Sequence, residues 1–166
     1  MYLQEFFDYK NQLMEDLLTT PEIVKLIRDD CEPMEHPEEL AYVQVFPHEY
    51  VPETIEHGAT YICFDVDIQR SMNKTFLLPT LQVWLFTHKS KLRLPEGGLR
   101  TDALASAIAE KINGSRFYGL GELDLYSVKR FAPISDYHGK VLTFYATEFN
   151  RTSPTKKPIP SNRKTG

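Results

Sequence analysis

Asp65 and Asp67 are the residues of this sequence whose type and spacing most resemble chemistry. They lie in Ala59–Ile68, where Ile62, Phe64, Val66 and Ile68 alternate with Tyr61, Cys63, Asp65 and Asp67. That alternation predicts a strand with both carboxylates on one face, about 7 Å apart. Paired carboxylates can hold a divalent metal for phosphodiester cleavage. A metal-dependent nuclease would need a further acid and a lysine converging on them. Glu122, Asp124 and Lys129, on a later predicted strand, are the residues able to supply those. Their spacing matches no metal or nuclease motif. The plainer reading is an exposed polar sheet face, and an acidic interface or channel lining is a third.

No other constellation reads as a reaction. His36, His48, His57, His88 and His138 are scattered, and neither Cys31 nor Cys63 has a partner at zinc-ligand spacing. No serine sits in a nucleophile elbow. Gly114, Gly119 and Gly121 follow a predicted helix and precede a strand. A phosphate cradle needs the reverse order, so they read as turns. The acidic residues of 29–39 are interrupted by Pro33 and Pro37 and lack a calcium loop's ligand spacing and turn glycine, so a solvated loop is expected. No cofactor, metal or catalytic residue is assigned.

The elements that would position these residues are legible from periodicity. Residues 2–30 read as two helices in series, restarted at Thr19-Thr20-Pro21-Glu22 because proline suits a first helical turn. Their apolar faces would cover a sheet or dock on a neighbouring subunit. Strands are expected at 40–46, 59–68, 76–87, 122–130 and 141–149, with an irregular stretch at 47–58 and connections at 69–75 and 132–139. The strand 76–87 is apolar on both faces and should be central. Leu104, Ile108 and Ile112 mark one face of a helix over 102–112, with Thr101 or Asp102 as N-cap and Asn113-Gly114 as its stop. The eleven-residue loop 88–98 carries Lys89, Lys91 and Arg93 and is long enough to suggest a contact role. The expected fold class is α/β (α+β): a mixed or antiparallel four- to five-stranded sheet flanked by helices. One domain spans 1–150, with an extended basic tail at 151–166.

Composition sets limits. The 166 residues are 42% hydrophobic and 25% charged, with ten Phe, nine Tyr and one Trp, ordinary for a globular domain. No run approaches a membrane span, and the acidic, aromatic N-terminus is not a secretory signal. Two cysteines make no disulfide framework and fit a reducing cytoplasm. Residues 151–166 hold five basic residues and no acid, so within a net charge of −4 the first 150 residues carry −9. Such a body repels phosphates over most of its surface. The tail, with Lys156, Lys157, Arg163 and Lys164 among prolines 154, 158 and 160, is either a solvated end or an arm that orders on an acidic neighbour.

Three stretches resemble the tail terminator or tail-completion proteins found at the neck of long-tailed bacteriophages. They are Phe7-Asp8-Tyr9-Lys10 with Asp16-Leu17-Leu18 and Ile23-Val24-Lys25-Leu26-Ile27; Arg100-Thr101-Asp102-Ala103-Leu104 leading to Ile112-Asn113-Gly114; and Gly119-Leu120-Gly121 with Phe131-Ala132-Pro133, Gly139-Lys140, Phe144 and Phe149-Asn150. The resemblance implies an α/β virion protein and not an enzyme, assembled in the host cytoplasm, that forms a homo-oligomeric ring, usually a hexamer. The ring would cap the tail tube protein and present a docking surface to the head-side connector. DNA would pass its lumen without specific binding, which an acidic body suits. Another neck component, a head-closure or adaptor protein, is the alternative within the same class. Lys89, Lys91, Arg93, Lys156, Lys157, Arg163 and Lys164 are the candidate partner-binding residues.

Overall fold

The computed structural model describes residues 3–52, 58–70, 76–116, 121–146 and 148–149. Helix α1 runs Leu3–Thr19 and α2 runs Pro21–Arg28, restarting at the predicted proline. A 3-10 turn at Pro37–Leu40 leads to β1, Val45–Phe46. Strands β2 (Thr60–Arg70) and β3 (Phe76–His88) pair antiparallel over eleven residues of β2. A second 3-10 turn, Lys89–Lys91, precedes α3, Arg100–Ile112. The chain closes with β4 (Asp124–Phe131), β5 (Tyr137–Tyr145) and the two-residue β6 (Glu148–Phe149).

The sheet is mixed, in the order β1-β2-β3-β5-β4, with β6 on the lower end of β3. Among the described strands, only the β1–β2 pair is parallel. β3 is central, as its two apolar faces require. The fold is therefore the expected α+β class, with β6 as an additional short strand.

The three helices cover one face of the sheet. Leu17, Ile23, Ile27, Leu104, Ile108 and Ile112 are buried against Ile62, Phe64, Leu81, Val83, Leu85, Leu142 and Phe144. Burying each such side chain contributes roughly 1.5–3 kcal/mol. Of the two readings of the N-terminal helices, their apolar faces cover the sheet. The opposite face carries a smaller aromatic core of Phe46, Cys63, Phe86 and Tyr137, with Tyr50, Tyr61 and Phe131 packed around it.

Three local expectations are corrected. The strand at 40–46 shrinks to Val45–Phe46. Backbone N–H groups of Val43 and Gln44 both donate to the Leu40 carbonyl, and Tyr42 turns back to Val45 with a φ of 60°. Those bonds make a turn of the segment, and its backbone groups are not available to a ladder. The connection at 132–139 is shorter, because β5 begins at Tyr137. Gly139 is consequently inside a strand: a Cβ there would lie 1.9 Å from the Leu85 carbonyl oxygen. Helix α3 begins at Arg100, with Leu99 at the N-cap position and no side-chain cap bond, so neither Thr101 nor Asp102 caps it. The Arg100 N–H donates to the Leu92 carbonyl at 2.7 Å, so the preceding loop satisfies the first turn instead.

Candidate functional site

β2 places Asp65 and Asp67 on one face, as alternation requires, but it does not leave them as a matched pair. Lys10 on α1 reaches Asp65 Oδ1 at 2.5 Å and donates a second bond to the Pro47 carbonyl at 3.1 Å. Asp67 remains exposed. Asp124 and Lys129 lie on β4, three strand spacings or roughly 14 Å from β2. Glu122 pairs with Arg116, which draws it away as well. The structure thus separates the acids and the lysine that a nuclease site would need together. Among the described residues, no three His, Cys, Asp or Glu side chains form a group able to hold a metal ion. His57 lies outside the described residues.

The acids of 29–39 are in part engaged locally. Asp30 pairs with Arg28 at 3.1 Å, and Glu38 with His36 at 3.1 Å. A bond to its own backbone N–H, helped by His36, holds the Glu38 carboxyl below its ordinary range.

The basic loop divides its three candidates. Lys89 Nζ lies 2.9 Å from Asp136 Oδ1, and that hydrogen bond holds the Asp136 carboxyl below its usual value. Lys91 is half-buried. Arg93 is exposed and makes no ion pair among the described residues. Lys156, Lys157, Arg163 and Lys164 lie outside the described residues.

The polar residue that sequence reasoning missed is Arg100, only 2% exposed. Its Nε donates to the Lys91 carbonyl at 2.8 Å, and NH1 donates to the Leu26 carbonyl at 2.8 Å. NH2 pairs with Asp29, the left-handed C-cap of α2. The guanidinium therefore sits at the negative end of α2 and ties it to the start of α3. Nothing local marks an arginine before Thr-Asp as buried; two of its three partners are 71 and 74 residues away in the chain. The long loop 88–98 is a folded cradle for this side chain. Arg93 bridges Leu99, and Leu94 N–H donates to the Gly98 carbonyl at 3.0 Å.

A groove of about 590 Å³ lies between the start of α3 and the β4–β5 turn, with Leu92, Leu99, Arg130 and His138 in its wall. Across it Lys140 Nζ pairs with Asp102 at 3.0 Å, which neutralises one of its cations.

The aromatic face is closed and chemically quiet. Phe46 and Tyr50 stack with centroids 4.0 Å apart, and Phe86 meets Tyr137 edge-on at 5.9 Å. Burial is the main cause that raises the Tyr61 hydroxyl to about 12, with Tyr137 adding to it. Burial likewise pushes the Cys63 thiol up to about 12. Such a thiol is neutral and inert at physiological pH. Both cysteines are free thiols, Cys31 exposed and Cys63 buried.

No curated protein matches this chain. The YomW family model matches residues 12–146, which takes in the second half of α1, all of α2 and α3, and the sheet through β5, so the chain belongs to the YomW family and is a phage-related protein, the family being named after a protein of the Bacillus phage SPBeta region.

Proposed function

We propose that the chain is a structural virion protein of a long-tailed phage, a ring-forming tail terminator that caps the tail tube and joins it to the head connector. The observation that carries this reading is where the charged residues go. Asp65, Lys89 and Arg100 are committed to ion pairs that hold the fold. What the molecule then offers other molecules is surface, which suits action by assembly. Membership of a phage-related family and an α+β sheet covered on one face by helices support the same reading. Its partners would be further copies of itself, the tube protein and the head-side connector. Arg93 and the tail residues Lys156, Lys157, Arg163 and Lys164 would make contacts to an acidic neighbouring surface.

The test is removal of the gene from the phage that carries it. The expected result is filled heads and unjoined tails of irregular length, rescued by the intact protein, with a tagged copy found at the neck. Joined, infectious particles without the protein would overturn the reading. A tag on the head side of the joint would assign it to head closure or an adaptor role instead. Magnesium-dependent DNA cleavage lost in Asp65→Asn and Asp67→Asn would favour the nuclease. Deleting 151–166 should leave the domain folded and weaken assembly.

A further inference from the structure

Of the eight large apolar residues exposed among the described residues, Leu99 stands alone before α3 and the other seven fall at the two ends of the sheet. Among the described residues, Phe7, Tyr42, Val43 and Val51 cluster around the β1 edge of the sheet. Tyr42 and Val43 lead into β1, and Val51 lies in the segment that follows it. Phe7 is one helical turn before Lys10, which reaches Asp65 at that same edge. Tyr126, Val128 and Tyr145 lie at the opposite edge, on β4 and its neighbour β5, with Tyr126 70% exposed. Tyr126 and Tyr145 meet edge-on at 4.7 Å. One exposed apolar side chain is unremarkable, but two groups at the two ends of one sheet are a pattern.

Charge follows the same division. Glu38, Glu39, Glu49 and Asp67 are exposed around the β1 edge, where the one lysine, Lys10, is already paired. On β4 the exposed Lys129 and Arg130 outnumber the exposed Asp124, so the strand is net positive. Among the described residues, β4 pairs with β5 alone and β1 covers only Ile62 and Cys63 of β2, so free backbone groups remain on β4 and on β2 beyond Cys63. The β4 charges and the bulge between Leu125 and Ser127 would by themselves blunt a free edge. Tyr126 and Val128 do the opposite.

We propose that a second copy of this chain docks here head to tail, the β4 edge of one subunit on the β1 edge of the next. The two surfaces lie four strand spacings apart, roughly 19 Å, and differ in sign. They are therefore complementary to each other and not to themselves. Such a heterologous contact repeats from copy to copy and closes into a ring when the rotation allows. The inference deepens the ring reading above by naming its subunit contact.

The experiment uses the full chain and two variants at exposed positions. One is Tyr126→Asp with Val128→Asp, which blocks the β4 edge. The other is Tyr42→Asp with Val43→Asp, which blocks the β1 edge. By light scattering, each variant alone should be monomeric at ten times the concentration at which the wild type assembles. Mixed in equal amounts they should form a one-to-one dimer and nothing larger, since one intact contact remains between them. Lys129→Glu should weaken assembly at least tenfold, and added salt should weaken the wild type's. Hydrogen exchange on the wild type needs no variant. Amides of 64–70, on β2 beyond its β1 partner, and of 124–131 should gain protection together as assembly proceeds.

A strictly monomeric wild type, an assembling blocked variant, or a mixture that stays monomeric or forms rings would each overturn the contact. Protection at only one edge would do the same. The contact and the function fail separately. Rings that depend on both edges but do not restore head–tail joining leave the contact standing and remove the terminator. Joining restored by blocked-edge variants removes the contact alone.

Discussion

The two faces of the sheet are closed by different means. Under the helices the packing is almost wholly aliphatic, and the one charge brought in, Arg100, has a partner on each nitrogen. On the opposite face loops bring aromatic rings together, and polar atoms are buried with them. The Tyr137 hydroxyl and His88 Nε2 are enclosed with no hydrogen-bond partner among the described residues. The hydroxyl lies near the Ala59 backbone and Tyr61 without a well-aligned bond to either. His88 Nδ1 accepts from the Ser90 N–H at 3.2 Å, which leaves Nε2 as the ring's donor nitrogen. The difference teaches where stability and tolerance lie. A face whose polar groups are satisfied loses energy with any deletion, whereas a face with an orphaned hydroxyl can gain by losing it.

The comparison can be broken most severely on the helix side. Phe144→Ala empties a fully buried site between β5 and the helices and should cost about 4 kcal/mol. Urea denaturation would show it as a lower midpoint. Arg100→Met should cost about 3 kcal/mol, because the Leu26 and Lys91 carbonyls lose their donor and Asp29 its partner. The same measurement checks it, and exchange protection should fall first where α2 meets α3.

On the aromatic face, Gly139→Ala is expected to cost about 2 kcal/mol. The new methyl would fall on the Leu85 carbonyl and on Phe86, and the Phe86 and Phe131 rings that meet beside the glycine, 5.9 Å apart, would have to part. Near-ultraviolet circular dichroism should weaken with the thermal midpoint. Tyr137→Phe should have a smaller effect of the other sign, between zero and about 1 kcal/mol of stabilisation, since it removes an unpartnered buried hydroxyl. A loss above that range would mean that the hydroxyl is bonded.

The last effect appears only in alkali. Cys63 and Tyr61 carry folded-state values near 12 against ordinary values of 9.0 and 10.0. Their folded pKa is raised, so the unfolded chain releases protons first. The stability they contribute is whole below about pH 9 and is lost as pH rises toward 12. Denaturant midpoints across that window should fall, and less so in Cys63→Val. At pH 8 a thiol reagent should modify Cys31 and reach Cys63 only on unfolding.

Periodicity carried most of the architecture. Alternation over 59–68 marked β2, and the double-sided apolar run over 76–87 marked β3 as central, because a strand records burial of its faces residue by residue. Leu104, Ile108 and Ile112 found α3 for the same reason, and the positive φ of Gly114 fits the stop expected there. Boundaries fared worse where local bonds competed with the ladder, as at Tyr42, or where a glycine marked close strand approach instead of a turn, as at Gly139.

The site was less legible than the fold. Asp65 and Asp67 share a face as their spacing dictates, yet only tertiary structure brings Lys10 to Asp65, since the two are 55 residues apart. The pairing of Lys89 with Asp136 and the burial of Arg100 have the same origin. By itself the sequence determined which residues alternate, where helices begin and end, and that the charge divides between an acidic body and a basic tail. Tertiary structure alone decided which charges neutralise one another and which apolar residues are left at the two edges of the sheet. Side-chain pairing and edge exposure depend on strand order, and strand order leaves no periodic trace in the chain.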